Sequence, residues 1–371
     1  MNHRIRTAIA TSLILSLGAC ATPSSWRAVV VHRTTAPIER IRTGHPDPTD
    51  AHLQAVSVDQ AGEVALMHFD REEPRAEVLY RNGTELTGLA IADVDPTIPG
   101  EEIYVGGYLP GKTGEEDGGA VYQIAVSADP SERVLVQRIW TGKVYVHSLE
   151  IVEPQQAGAG RSLLVSTYAG RIHSLEPAGA AWRDTLLHTE PLSADPEKNK
   201  IKDVGFLVDT TGQPRHLALV AFKGGRLMRF DLHHPEAAAF VHEEPGGLSR
   251  VTPDAEGGAY VTGYAGRLMH FTPNGDGFAM QVLDQEGADS GLRGAVLGTF
   301  PVTGGTAHLA VFGFHKLCRA LVPRLGVLDP YTLYVDVDKG HTLDAADLVP
   351  GNGSDEILLG GYSRCITMLT R

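Results

Sequence analysis

Leu163-Leu164-Val165-Ser166-Thr167-Tyr168-Ala169-Gly170-Arg171-Ile172-His173-Ser174-Leu175 is the stretch that decides the fold. An apolar strand runs into an aromatic residue, turns on small residues and starts again. The unit returns as Leu217-Ala218-Leu219-Val220 leading to Phe222-Lys223-Gly224-Gly225-Arg226-Leu227, and as Ala259-Tyr260-Val261-Thr262 leading to Tyr264-Ala265-Gly266-Arg267-Leu268. Glycine in these turns supplies the positive φ of a tight hairpin. Working outward, the aromatic recurs at Phe69, Tyr108, Tyr168, Phe222, Tyr264, Phe314 and Tyr362, at spacings of 39, 60, 54, 42, 50 and 48 residues. Self-similarity at that period marks a repeat architecture with one supersecondary unit per repeat.

Each unit carries further strands. Leu149-Glu150-Ile151-Val152 and Val204-Gly205-Phe206-Leu207-Val208 lie upstream of hairpins, and Phe278-Ala279-Met280-Gln281-Val282-Leu283 lies downstream of one. Four strands per repeat is a propeller blade. The expectation is an all-β chain forming one β-propeller of seven four-stranded blades, with six or eight left open by a short first blade. The last repeat runs out of chain at Arg371, so Arg27-Ala28-Val29-Val30-Val31 is expected to supply its missing strand and close the ring.

The first residues give an address. Arg4 and Arg6 precede the uncharged stretch Ala8 to Ala19, which matches a signal h-region and is too short to span a bilayer. It ends in Leu17-Gly18-Ala19-Cys20, which resembles the lipobox of bacterial lipoproteins. That resemblance implies a signal peptide over 1–19, lipidation of Cys20, a tether over 20–25 and a propeller domain over 26–371. It also implies a place in the cell envelope, with Ala21 matching the outer-membrane sorting pattern of enterobacterial lipoproteins. Acyl chains hold a membrane at ~0.8 kcal/mol per buried CH₂. Removing 1–19 leaves 30 basic against 45 acidic residues, a formal charge of −15. That acidity argues against nucleic acid as a partner and leaves the lipid anchor as the membrane contact.

Two loops carry a second resemblance. Asp93-Val94-Asp95 through Glu101-Glu102-Ile103-Tyr104-Val105-Gly106-Gly107-Tyr108, and Asp347-Leu348-Val349-Pro350-Gly351 through Asp355-Glu356-Ile357-Leu358-Leu359-Gly360-Gly361-Tyr362, look like FG-GAP or VCBS-type propeller repeats. The resemblance covers the second and seventh blades well and the third in part. It implies integrin-like adhesion domains, carbohydrate-active enzymes or other secreted proteins, and so speaks to fold more than to function. It also implies calcium held by Asp93, Asp95, Thr97 and Glu101, since a hard cation takes six to eight oxygens. The competing reading makes these acids local turn formers.

Other candidates sit near the axis. His147 and His341 start innermost strands, with Asp203 and Thr87 aligned to the same position. Imidazoles with a carboxylate suit Zn²⁺ or another divalent ion, or else they are polar channel linings. Tyr168, Tyr264 and Tyr362, with Arg171, Arg226 and Arg267 after the hairpins, could grip carboxylates or stack sugars. The alternative is packing between blades with inter-blade ion pairs. Cys318 and Cys365 fall early in third strands of adjacent blades, either as a disulfide or as two small thiols. No nucleophile elbow, HExxH, Walker loop or dinucleotide fingerprint appears. The functional expectation is a binding module for a protein or carbohydrate ligand on the face around the channel. The alternatives are a metal-dependent carbohydrate enzyme of lyase or dehydratase type, and an adhesion or envelope-assembly scaffold.

Overall fold

The computed structural model describes residues 26–371 apart from 70–72, 113, 115–117, 155–159, 192, 194, 209–213, 288–289, 304 and 325–326. The signal segment, the tether with Cys20, and the acids of the 114–118 insertion lie outside the described residues.

Seven four-stranded antiparallel sheets follow one another along the chain. Blades 1 to 6 occupy 38–81, 86–142, 146–189, 201–243, 248–285 and 292–335. Blade 7 takes its three inner strands from 340–370 and its outermost from Arg27–Arg33. That outer strand pairs antiparallel with Cys365–Thr370, from Arg27 opposite Thr370 to Arg33 opposite Cys365. The expected closure is present. Trp26 reinforces it: its indole N–H donates to the Pro301 carbonyl at 3.0 Å and its ring lies 6.5 Å from Phe300 of blade 6.

The core is divided into seven slabs, one per blade junction. Ile38 and Ile41 meet Leu358, Ile366 and Met368 where blade 1 closes on blade 7. Val56 and Leu66 meet Ile103 and Ile124 at the next junction, and the other five repeat the scheme. Second strands such as Glu102–Tyr108 and Glu356–Gly361 are buried along their whole length. Sheets covered on both faces read as continuous apolar runs rather than as alternation.

The loops resembling calcium-binding repeats are hydrogen-bonded turns. Glu102 accepts the backbone N–H groups of Val94 and Asp95 and the Tyr104 hydroxyl. Glu356 accepts those of Leu348 and Val349. Asp95 caps its own turn through the Thr97 N–H and hydroxyl. Glu101 takes the His45 N–H at 2.6 Å, and Asp355 takes the Thr299 N–H at 2.6 Å, each clipping its blade to the one before. Asp93 is exposed. Asp93, Asp95 and Glu101 do not converge as a ligand set.

Cys318 and Cys365 are free thiols. Cys318 is sealed among Phe300, Phe312 and Ile357, and Cys365 is half-buried with its Sγ 3.0 Å from the Arg33 guanidinium. The disulfide reading is not realised, since the two side chains point into different surroundings.

Candidate functional site: the axial channel

Each innermost strand begins with a register shift of one residue against its neighbour. The shifts fall between Ile38 and Arg40, Leu86 and Gly88, Val146 and Ser148, Ile201 and Asp203, Leu248 and Arg250, Leu292 and Gly294, and Gly340 and Thr342. A bulge re-aims the extra side chain. The seven extra residues are Glu39, Thr87, His147, Lys202, Ser249, Arg293 and His341. They form a ring of polar groups just inside one mouth, called upper here. Lys202, not Asp203, is therefore the partner of His147 and His341 in the repeat. Asp203 lies one residue deeper.

Four members of this ring each tie their own blade to the next through a side-chain hydrogen bond to a carbonyl at or beside the neighbouring bulge. Thr87 donates to the Val146 carbonyl at 3.0 Å, and Ser249 to the Arg293 carbonyl at 3.4 Å. His147 Nδ1 lies 2.8 Å from the Lys202 carbonyl, and His341 Nδ1 lies 3.2 Å from the Glu39 carbonyl. A carbonyl can only accept, so both imidazoles carry the proton on Nδ1. Their Nε2 atoms accept from cations, His147 from Lys202 Nζ at 2.7 Å and His341 from Arg293 Nη2 at 2.6 Å. With both ring nitrogens of each engaged, the two histidines are stitches across blade junctions. They are not brought together as metal ligands.

Above this ring sits a second. A residue at or just past the end of each second strand donates its backbone N–H to the residue two before the bulge: Gln60 to Pro37, Tyr108 to Glu85, Tyr168 to Tyr145, Lys223 to Lys200, Tyr264 to Gly247, Phe314 to Gly291 and Tyr362 to Lys339. Five of the seven are aromatic. Phe69 and Phe222 are not members. Phe69 follows a third strand and is buried in the junction of blades 7 and 1. Phe222 pairs with Ile201 inside its strand, at the position that Thr167 and Gly263 hold in blades 3 and 5, one residue before the turn. Gln60 and Lys223 take their places.

The expected Tyr168, Tyr264, Tyr362, His147 and His341 therefore do meet. With Lys202, Arg293, Glu39 and Glu85 they line an upper cavity of about 240 Å³. The arginines do not join them. Arg226 pairs with Glu190 of blade 3 at 2.7 Å, and Arg267 with Glu244 of blade 4 at 3.3 Å. Arg171 lies exposed at the head of its strand. Arg226 and Arg267 thus hold ion pairs between blades.

The cavity floor is a buried ion pair. Arg40 donates to Asp203 Oδ1 through Nη1 at 3.0 Å and Nη2 at 3.1 Å. Below it the channel reopens into a lower cavity of about 380 Å³, walled by Leu89, Val204, Val251 and Leu343 and edged by Arg42, Glu150 and Asp344. Burial lifts the Glu150 carboxyl to about 7 despite the two arginines beside it.

Charge in the upper cavity is unevenly spread. Glu39 and Glu85 stand on the side of blades 1 and 2, accepting from Gln60 at 2.6 Å and from the Tyr145 hydroxyl at 2.9 Å. Lys202 and Arg293 stand on blades 4 and 6, and Arg250 of blade 5 lies one residue deeper, level with Arg40 and Asp203; all three are buried. Burial pulls the Lys202 ammonium down to about 8 and the Arg250 guanidinium to about 9. Burial alone would raise the Tyr264 hydroxyl, but Arg293, Lys202 and Arg250 outweigh it and bring it to about 7.

Burial, and then Lys202 for His147 and Arg293 for His341, holds both imidazoles well below their usual pKa. The folded protein refuses protons that the unfolded chain accepts below pH ~6.5. Stability from this source is complete above that pH and is lost as pH falls, by up to ~1.4 kcal/mol per pH unit for each histidine. Urea unfolding between pH 7 and 5.5 should therefore be flatter for a His147→Gln, His341→Gln double variant than for the natural chain, by roughly 1.5–2 kcal/mol per pH unit. Equal slopes would contradict the neutral-stitch assignment.

One converging set of ligand-type atoms exists among the described residues: Asp47, His68 and Glu77 of blade 1. Arg133 occupies it, ion-paired to Asp47 and 2.9 Å from Glu77. It is an ion-pair network with its own cation.

The architecture is that of a seven-bladed β-propeller, and solved structures agree. The chain is similar to the WD40 β-propeller domain of Doa1, with a TM-score of 0.60 and 12% identity over 94% of this chain and 97% of that one. It is also similar to the β-propeller domain of Myceliophteria thermophila Cps50 (Swd1), with a TM-score of 0.60 and 11% identity over 92% and 99%. At such identities the likeness is one of fold. No protein-family model matches the chain, and no curated protein does.

Proposed function

We propose that this chain is a lipid-anchored binding module of the cell envelope, presenting the face around its upper channel mouth to a partner or ligand. The observation that carries the binding part is the convergence of the bulge ring and the aromatic ring on one closed-bottomed cavity. It collects polar and charged side chains from blades across the whole propeller, and a pocket with a few convergent polar groups is the default site for a ligand. The floor makes it a socket rather than a pore. The anchoring part rests on Leu17-Gly18-Ala19-Cys20 following an uncharged segment.

Crosslinking and fractionation in the producing cell test both parts. A photoreactive residue at Lys339, exposed on the upper face, should trap a partner. One at Thr97, exposed in a loop on the lower face, should not. Trapping at Thr97 alone would move the binding face to the other side. Cys20→Ala should leave the protein unprocessed or free of membranes. Continued detergent-sensitive membrane attachment of that variant would remove the anchor from the proposal.

A further inference from the structure

We infer that the upper cavity is a carboxylate receptor, seating an acidic side chain or chain end of a protein partner against Arg293 and Lys202, with Arg250 adding positive charge from beneath. This deepens the binding reading above and rests on it.

The argument begins with unmet donors. Arg293 is 2% exposed. Its Nη2 is used by His341, while Nε and Nη1 reach no partner at hydrogen-bond geometry, although the Tyr264 hydroxyl lies beside the guanidinium. Lys202, 5% exposed, gives its protons to two neutral acceptors, His147 and the Tyr168 hydroxyl at 2.9 Å. Arg250 donates to the carbonyls of Lys202 and Ser249. None of the three has a carboxylate within 4 Å among the described residues, whereas Arg40 directly beneath has Asp203 at 3.0 Å. Glu39 acts on all three from farther away. Buried charges are ordinarily paired, because removing an ion from water costs several kcal/mol. A bound carboxylate would supply the missing counter-charge and accept the idle Arg293 donors. Charge-assisted hydrogen bonds of this type are among the stronger ones.

The geometry also narrows what carries the carboxylate. Sugars are commonly held on open aromatic faces, and here the faces are taken. Arg293 lies 4.6 Å over the Tyr264 ring and 5.2 Å over Phe314. Lys339 lies 5.3 Å from Phe314 as well. Tyr168 stacks on His147 at 4.9 Å and also carries Lys200 and Lys202. The rim can therefore offer hydroxyls and charge but little stacking surface. The Arg40–Asp203 floor blocks passage, so a ligand must enter end-on. A protruding side chain or a C-terminus has that shape.

Titration calorimetry on the detergent-solubilised full chain tests this. The probes are a hexaglutamate peptide, an amidated hexaglutamine peptide and trigalacturonate. Hexaglutamate should bind and hexaglutamine should not. Arg293→Gln should weaken hexaglutamate binding roughly 10- to 100-fold, the loss of one or two hydrogen bonds to a charged group. Arg183→Gln, on the exposed outermost strand of blade 3 away from the channel, should change it less than threefold. Should Arg293→Gln fail to fold, Arg293→Lys retains the charge without the extra donors and should still bind several-fold more weakly. Equal binding of the two peptides, unchanged affinity in the folded Arg293 variants, or tighter binding of trigalacturonate than of hexaglutamate would each overturn the inference. The partner trapped at Lys339 would survive such a result, so the two readings fail separately.

Discussion

A chain beginning at Thr34 should melt roughly 5–10 °C below the mature protein and aggregate on heating. Losing the outermost strand of blade 7 removes the whole Arg27 to Arg33 ladder against Cys365–Thr370. At ~1 kcal/mol net per hydrogen bond the ladder contributes on the order of 5 kcal/mol. Side chains add to this. Val29 and Val31 pack on the junction of blades 7 and 1, and His32 lies 2.8 Å from Glu63 of blade 1. Trp26 goes too, with its bond to Pro301. For a chain of this size a loss of a few kcal/mol moves the midpoint by several degrees. The second consequence is kinetic: Cys365–Thr370 becomes an unprotected edge, ready to pair with another molecule. Differential scanning calorimetry with light scattering reads both. A truncated chain that melts with the full one and stays monodisperse would mean the ring holds without its clasp.

That clasp was legible because the last repeat ends a strand short and the N-terminus offers a spare one. The blade count was legible from the period, although two of the seven marker residues were in the wrong place. Phe69 and Phe222 satisfied the pattern of an aromatic after an apolar run, yet the backbone puts Gln60 and Lys223 in those slots. The fault lies in reading slots by side-chain type: the turns of blades 3, 4 and 5 are equally long, and in blade 4 the aromatic stands one residue before the slot. The bulge ring had a signal of its own. In Ile38-Glu39-Arg40-Ile41, Val146-His147-Ser148-Leu149, Ile201-Lys202-Asp203-Val204 and Leu248-Ser249-Arg250-Val251, apolar residues recur at a spacing of three. A regular strand would space them by two, so the added residue announces a bulge. Counting that spacing would have aligned Lys202 with His147. The ion pairs of Arg226 and Arg267 were less accessible. Their partners Glu190 and Glu244 end the outermost strands of preceding blades, and only the packing of one sheet on the next shows that they meet.

Asp203→Ala should be the most damaging single substitution on the channel axis, costing about 3–5 kcal/mol. Asp203 binds three other blades at once. Arg40 of blade 1 reaches it through two nitrogens, Ser148 of blade 3 through its hydroxyl at 3.3 Å, and Val251 of blade 5 through its N–H at 3.0 Å. Burial works to raise its pKa, but Arg40, Arg250 and Arg42 outweigh burial and keep it below the usual carboxylate range. It is therefore ionised at neutral pH and is the counter-charge for a guanidinium that water does not reach. Removing it leaves Arg40, buried, with only the more distant Glu150 at 3.9 Å, and leaves the Val251 N–H without its acceptor. Removing both charges avoids the first of these costs. Arg40→Met combined with Asp203→Ala should thus be less unstable than Asp203→Ala alone, with a coupling of at least ~1 kcal/mol by double-mutant cycle in urea. Additive losses would mean that Arg40 finds another partner when Asp203 is gone. The sign of that coupling also tells the two storeys of the channel apart. The floor is a closed pair, whose halves depend on each other. Lys202 and Arg293 above it have no carboxylate within 4 Å among the described residues, and that difference is why the upper cavity, and not the floor, is where an incoming carboxylate belongs.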